Sequence, residues 1–494
     1  MSSLAKEGVR AVKWSAVSTV ARFVLQLVAQ VVLARILGPE NYGVFGIGMV
    51  VLTLSNFLSN FGFGWNLLHK KDLAIEDIRF AFTWQVITGT VAMVALYVAA
   101  PALADYFREP RVLGVIQWLS LACLLTAANA PSSNLLQRDL NFKAVGLIQV
   151  GSYAAGYLAV GVPMALAGMG VNALVAAWLV QTGVALVASY ALRPHSLVPL
   201  FHFSGTGKAM GTSSQVFVTN VVNWCLNNID RVLIGRMLNV HSVGVYTAGY
   251  NLATMPNTLL LSALQPAFMS AAARMQDDPK RLARVYMEML ATVWVLVLPF
   301  FVFLAAISAD VVRLLYGPQW ADTAPVLAIL FLGMPAYVTW GISTPVLWNT
   351  GRKHHEALLQ LPVLILGGVA LYAVMQWGVL AAAAVASGML VSRMLMVGAS
   401  AFQVLGLQFR SLIPYLLRGV SLSCLCVVTV LLGQVFAEPW NYAIVNLAVS
   451  GLLTGSVFVF ICWWKPSVLG DHVVAMVIRF VPPLSRYIST SQSG

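Results

Sequence analysis

Charge is what this chain has least of. Asp, Glu, Lys and Arg make up only 9% of its 494 residues, and 59% are hydrophobic; soluble domains are about a quarter charged. With a mean hydropathy of +0.82, that scarcity excludes a soluble enzyme and a disordered scaffold alike. Cysteine is scarce too. Cys123, Cys225, Cys424, Cys426 and Cys462 all stand in apolar runs, which leaves neither a disulfide framework nor zinc-ligand spacing. A phosphate-cradling loop is missing: the GTGKA segment at Gly205 has His202 where the first glycine belongs and no Ser or Thr after Lys208, so an ATP motor of that type is excluded. His354, His355 and Glu356 adjoin in HHEAL, which is not the HExxH of zinc hydrolases. That polar run reads as a short cytoplasmic loop beside anionic lipid.

What is present is a series of apolar runs, each near the ~20 residues that span about 30 Å of hydrocarbon. They cover 14–37, 43–65, 80–101, 112–135, 145–167, 170–192, 213–237, 243–268, 284–307, 323–348, 357–377, 379–401, 412–436 and 441–463. The first is too long for a signal-peptide core and is expected to be retained. The reading is an all-α integral membrane protein of about 14 transmembrane helices. Its formal charge of +12 does not point to nucleic acid, because the basic residues fall on one side of this layout. Lys6, Arg10, Lys13, Lys70, Lys71, Arg79, Arg138, Lys143, Arg193, Lys208, Arg274, Lys280, Arg281, Arg284, Arg352, Lys353, Arg410, Lys465, Arg479 and Arg486 share it, against Arg108, Arg111 and Arg313 opposite. Basic loops stay inside, so both termini are expected to be cytoplasmic. The apolar piece 473–481 is too short to span and is expected along the interface.

The chain also repeats itself. Shifted by 201 residues, the segment from Val31 lies over the segment from Val232, and Arg35 meets Arg236, Gly43 meets Gly244, Gly48 meets Gly249 and Asn56 meets Asn257. An even number of spans per copy keeps both copies in one orientation. The expected architecture is two parallel six-helix bundles, 1–200 and 201–410, with two additional helices in 411–464 and a cytoplasmic tail, 465–494. Both first helices carry a polar stripe: Arg22, Gln26 and Gln30 in one, Asn220, Asn223, Asn227 and Asp230 in the other, with Arg231 beside it. Ionisable groups in a span cost on the order of 3 kcal/mol and normally face protein or a wet cavity. Asp230 is the one carboxylate placed well inside an apolar run.

The repeat, the DRVLIGRMLN stretch from Asp230, the RILGPENYGVF stretch from Arg35 and the LLQRDLNFK loop from Leu135 resemble the polysaccharide-transporter, Wzx-type flippases. These belong to the multidrug/oligosaccharidyl-lipid/polysaccharide superfamily, whose multidrug branch is the MATE transporters. The resemblance implies a MATE-like fold and movement of undecaprenyl-pyrophosphate-linked oligosaccharide from the cytoplasmic to the periplasmic leaflet, for O-antigen, capsule or exopolysaccharide. It implies a bacterial inner-membrane location, membrane lipids as neighbours, and a polysaccharide polymerase and chain-length proteins as partners.

Physical chemistry assigns roles within that frame. A pyrophosphate and sugar hydroxyls cannot cross hydrocarbon unpaired, so the cargo needs a wet, cationic slot. Arg22, Arg231 and Arg393 are expected to pair with phosphate, and Gln26, Gln30, Asn223 and Asn227 with hydroxyls. Arg35 and Arg236, near the outer helix ends, are expected to snorkel to headgroups. No cofactor is expected; H+ or Na+ coupling through Asp230 is open, and the membrane potential alone favours outward passage of an anion by about 2.3 kcal/mol per charge per 100 mV. Other readings are an ion-coupled multidrug exporter, which interior arginines disfavour, a peptidoglycan-precursor flippase, and a membrane-embedded glycan polymerase or ligase, which the short outward loops disfavour.

Overall fold

A glycine breaks the first helix. In the computed structural model α1 runs over Ser3–Asn60 but is interrupted at Gly38, whose φ of 72° and ψ of 174° are not helical. Only glycine adopts such a φ without a steric cost. Pro39, which has no N–H to donate, then opens the second half, where the first helical N–H has no partner in any case. The break falls between the expected runs 14–37 and 43–65. The structure describes residues 3–60, 67, 70, 73–202, 206–275, 278–350, 353–440, 442–464, 468–470 and 473. Of the expected interfacial piece 473–481 only Val473 lies within them, buried with Leu469 against Val295 and Leu422. The rest of the tail, and Gly205 of GTGKA, lie outside the described residues.

After α1 come α2 (Ile75–Phe107), α3 (Arg111–Arg138), α4 (Phe142–Leu166), α5 (Val171–Leu192), α6 (Thr206–Met237) and α7 (Val240–Arg274). They are followed by α8 (Lys280–Ala306), α9 (Ser308–Leu315), α10 (Thr323–Asn349), α11 (Lys353–Val374), α12 (Val379–Leu405), α13 (Ile413–Ala437) and α14 (Ala443–Trp464). Eleven described helices have the length and apolarity of membrane spans, α1 counted once. Breaking α1 at Gly38 and adding the more polar α6 and α7 accounts for the expected all-helical membrane fold of about fourteen spans. The outward surface fits lipid: Val17, Val20, Val24 and Val28 on α1, and Leu431, Val435, Phe436 and Leu452 on α13 and α14, are exposed.

The chain divides into two compact units, Met1–Thr247 and Ala248–Gly494. In the first, α2 and α3 pack as a hairpin. Gly89 comes so near α3 that a Cβ there would sit 2.5 Å from that of Ala127, and Ala92, Leu96, Ala100 and Ala104 are buried with Val112, Val115 and Leu119. The turn after Gly38 meets the turn before α7. A Cβ on Gly43 would lie 1.9 Å from the Val240 carbonyl oxygen, and one on Gly244 1.9 Å from that of Pro39. The 201-residue shift exchanges these two contacts, as in a two-fold interface where i meets j and j meets i.

Residues that the sequence places on the basic side gather at one end of this unit. Lys70 pairs with Asp77 at 2.6 Å and Arg193 with Asp139 at 2.7 Å, while Arg138 donates to the carbonyls of Leu67 and Lys70 at 2.9 and 2.6 Å. Arg79 and Trp84 hold residues 198–201 as a strap by bonds to the carbonyls of Val198, Pro199 and Phe201 at 3.0–3.2 Å. Arg108 and Arg111 lie beyond the far end of α2, about 50 Å of helix rise away.

In the second unit α10 is central: Val326, Leu327, Leu330, Met334, Val338, Ile342 and Val346 are buried on several sides. Ser387 of α12 donates to the Ile329 carbonyl at 3.0 Å. Gly419 brings α13 so close to the π-helical turn Val293–Val297 of α8 that a Cβ would lie 1.9 Å from the Trp294 carbonyl oxygen. Thr429 and Thr454 join α13 to α14 at 2.9 Å.

Candidate functional site

In α1, Arg22, Gln26 and Gln30 recur every fourth residue, on the helix face opposite Val17, Val20, Val24 and Val28. The valines are exposed and the polar stripe is half-buried, so the stripe faces protein, the arrangement that the cost of polar groups in lipid dictates. Arg22 Nη1 donates to Gln149 Oε1 of α4 at 3.2 Å. Gln149 is followed one and two turns later by Tyr153 and Tyr157, whose rings stack at 4.4 Å and 13°. The π-helical stretch Ala154–Gly161 carries the second tyrosine; such widened turns recur at functional positions. Gln149, Tyr153 and Tyr157 escape the sequence reading, although their spacing of four is a signal that marks one face of a helix.

Asp230 on α6 is buried, 6% exposed. The Tyr246 hydroxyl of α7 donates to its Oδ2, and its Oδ1 accepts the Arg231 N–H at 2.8 Å. The carboxylate therefore braces the α6–α7 elbow. Arg231 Nη1 donates to Asn228 Oδ1 at 3.2 Å, and Asn223 and Asn227 are half-buried; the side chain of Asn220 lies outside the described residues. Trp224 Nε1 donates to Thr53 Oγ1 at 3.0 Å, tying α6 to the second half of α1. Arg35 is exposed. Arg236 donates to the Tyr106 carbonyl at 2.6 Å and its guanidinium lies 5.0 Å over the Tyr106 ring.

The second unit holds Arg393, only 2% exposed. Its Nε donates to Gln360 Oε1 of α11 at 2.9 Å, and its guanidinium carbon lies 4.1 Å from the Trp340 ring centroid of α10, a cation–π contact strengthened by desolvation. One turn before Gln360 stands Glu356, and here the sequence reading is corrected. The HHEAL segment is not a loop. Helix α11 begins at Lys353, and Glu356 in its first turn is buried, 8% exposed. Its carboxylate accepts the Trp348 Nε1–H at 2.5 Å and the Thr344 hydroxyl at 2.9 Å, both from α10. A carboxylate in a first turn is favoured by the helix dipole, and the donors offset its desolvation. Glu356 thus joins Asp230 among the buried carboxylates of the described residues, just ahead of the apolar span Leu358–Trp377. The described structure brings Arg22 to Gln149, Arg231 to Asp230 and Asn228, and Arg393 to Gln360 and Glu356.

A recess of about 360 Å³ opens near the far end of α2, lined by Glu40, Arg108, Glu109, Arg111, Arg236 and His241 among others. Glu109 chelates Arg111 at 2.8 and 3.2 Å, and Glu40 approaches it at 3.5 Å. The hydrogen bond from Arg111 holds the Glu109 carboxyl below the usual carboxylate range. Arg108 adopts a left-handed φ of 55° that closes α2.

Comparison with known proteins bears on this arrangement. The profile of a family described as "Polysaccharide biosynthesis protein" matches residues 32–325, more than half of the chain. The lipopolysaccharide biosynthesis protein WzxC of Escherichia coli (strain K12) is 26% identical over 334 residues, 66% of this chain and 67% of that protein. The succinoglycan biosynthesis transport protein ExoT of Rhizobium meliloti (strain 1021) is 26% identical over 348 residues, 70% of each. In structure the chain is similar to lipid II flippase MurJ in an inward closed conformation, with a TM-score of 0.69, 12% identity, and coverage of 90% of this chain and 98% of that one. The shared fold is that of an all-helical, multi-pass membrane protein.

Proposed function

Because this chain belongs to the polysaccharide biosynthesis protein family, we propose that it is a flippase that carries undecaprenyl-pyrophosphate-linked oligosaccharide repeat units across the bacterial cytoplasmic membrane by alternating access. The product serves exopolysaccharide, capsule or O-antigen synthesis, a reading that the roles named for the relatives support. The observation that carries the reading is Arg22: a guanidinium in an apolar span, turned away from the lipid-facing valines and held by a neutral amide at 3.2 Å. Gln149 fixes its direction without neutralising its charge, which leaves that charge for a phosphate.

In this proposal Arg22 and Arg231 meet the pyrophosphate, Gln26, Gln30, Asn223 and Asn227 meet sugar hydroxyls, and Arg393 supplies a second cationic position. The repeat copies 1–200 and 201–410 act as the two bundles, with both termini in the cytoplasm. Transport is of the secondary type, driven by the membrane potential and by H+ or Na+ through Asp230; the missing phosphate-cradling motif supports this. The flippase hands its cargo to the polysaccharide polymerase and chain-length proteins. Interior arginines disfavour cationic drugs as cargo. Deletion of the gene followed by leaflet-resolved analysis of lipid-linked oligosaccharide tests the proposal: repeat units stranded on the cytoplasmic leaflet are expected, and normal polymer export overturns it.

A further inference from the structure

The recess at the far end of α2 holds more positive charge than its own acids balance. Glu109 chelates Arg111 at 2.8 and 3.2 Å and Glu40 approaches it at 3.5 Å, so both carboxylates of the lining are committed to one arginine. Arg108 and Arg236 also line the recess, and neither has an ion-pair partner among the described residues. Arg236 donates to the Tyr106 carbonyl at 2.6 Å, a neutral acceptor that leaves its charge in place. Helix dipoles do not decide the sign, because α2 and α6 end at this recess while α3 and α7 begin there, and the two kinds of terminus oppose each other. The side chains therefore make it cationic.

Arg108 adds a second observation. Its φ of 55° is left-handed, a conformation that glycine supplies at helix ends without strain. An arginine held there departs from the residue its backbone prefers, and no group among the described residues accepts from its guanidinium. Depth in the membrane narrows the ligand. On α2, Val98 is 71% exposed and Tyr106, two turns later, 42% exposed, the order of a lipid-facing apolar residue and an interfacial aromatic, so the recess stands at headgroup level. Guanidiniums pair there with phosphate through charge-assisted, bidentate hydrogen bonds, and about 360 Å³ is ligand-sized space. We propose that this recess binds a phosphate-bearing lipid headgroup, with Arg108 and Arg236 as its cationic ligands and Arg111 held beside them by Glu109. The site itself does not depend on transport. Its occupation by the cargo diphosphate, as against an anionic phospholipid, rests on the flippase reading, in which the diphosphate reaches this face after crossing.

The experiment uses purified full-length protein in detergent micelles and reads the recess locally. Met237→Cys places a thiol on an exposed lining residue, and its maleimide labelling rate, resolved by peptide mass spectrometry, is compared with and without lipid. Undecaprenyl diphosphate and phosphatidylglycerol are the phosphate probes, and undecaprenol is the probe without phosphate. A phosphate lipid at about ten times its Kd is expected to slow labelling about tenfold, and undecaprenol is not. Protection by undecaprenyl diphosphate alone assigns the site to cargo, and protection by phosphatidylglycerol, with or without it, assigns the site to anionic headgroups; both support it. In this background Arg108→Gly suits the left-handed backbone, so it is expected to keep Tm and to weaken phosphate-lipid binding at least about tenfold. Arg236→Ala is expected to weaken it as well, and Arg313→Ala, which removes another exposed arginine opposite the basic loops, to bind normally. Equal protection by undecaprenol, no protection by either phosphate lipid, unchanged affinity in Arg108→Gly or a matching loss in Arg313→Ala overturns the proposal. Those outcomes leave the flippase reading in place, because polymer export and leaflet analysis test it separately.

Discussion

Two arginine–glutamine pairs stand among the described residues, and they are built to different ends. Gln149 is the eighth residue of α4 and Gln360 the eighth of α11, the fifth span of each repeat copy when α1 is counted as two. Each accepts from an arginine, Arg22 at 3.2 Å and Arg393 at 2.9 Å. The first pair is half-open, with Gln149 exposed, and no carboxylate bonds it among the described residues. The second is buried, walled by Trp340, and has Glu356 one turn away. The same amide thus steers a guanidinium in both copies. What differs is compensation: a buried guanidinium needs a counter-charge, and an open one does not.

The sharpest way to break this comparison is to remove the buried cation. Arg393→Ala leaves Glu356 uncompensated and is expected to destabilise the protein by about 3–5 kcal/mol, seen as lost membrane abundance. The double variant Arg393→Ala/Glu356→Gln is expected to recover part of it. Equal abundance of the single and double variants contradicts the compensation.

A second prediction concerns the repeat itself. Gly43→Ala and Gly244→Ala each place a Cβ 1.9 Å from a backbone oxygen of the facing turn, so each is expected to part that seam at a cost of about 1–3 kcal/mol. Because the two contacts exchange under the repeat, their thermal destabilisation in detergent and their gain in maleimide labelling at Val240→Cys should match. Unequal effects break the equivalence.

Arg22→Ala is expected to leave abundance unchanged and to lower polymer export at least about tenfold, equivalent to about 1.4 kcal/mol. Arg22→Lys recovers part of the charge but not the bidentate geometry. Full export by Arg22→Ala removes the open pair from the site.

The smallest effect lies in the strap 193–202. His195 is half-buried between Phe82 and Tyr190. Burial, with Arg193 adding to it, pushes its pKa below the usual 6.5. A lowered folded-state pKa means the contribution to stability is complete above the ordinary histidine range and is lost as pH falls through the folded value. A shallow fall in Tm from pH 7 to about pH 5 is expected in wild type and not in His195→Phe.

Much of the fold is legible in the sequence. Apolar runs mark the spans, Gly38 with Pro39 marks the break between the first two, and the 201-residue register anticipates that Gly43 and Gly244 occupy matching positions. The inward turn of Arg22, Gln26 and Gln30 is legible too, since the valines between them alternate at helical spacing. Glu356 is not, because a polar start to an apolar run resembles a loop until the donors of α10 are seen beside it. Gln149 and Gln360 stay hidden for a related reason: each matters through an arginine on another helix, and periodicity within one helix carries no information about its neighbour. Arg236 looks like an end-of-span arginine in sequence, and only the Tyr106 carbonyl and ring reveal what it holds.

The central claim is that these guanidiniums serve a lipid-linked anion in transit, and reconstitution tests it most directly. Proteoliposomes loaded with undecaprenyl-diphosphate-linked glycan are exposed to an external glycosidase, and the protected fraction is measured. The account predicts that wild-type protein exposes glycan from the inner leaflet whereas Arg22→Ala, equally well inserted, leaves about half protected, as in protein-free vesicles. Equal exposure by wild type and Arg22→Ala, or protection unchanged by wild type, contradicts it.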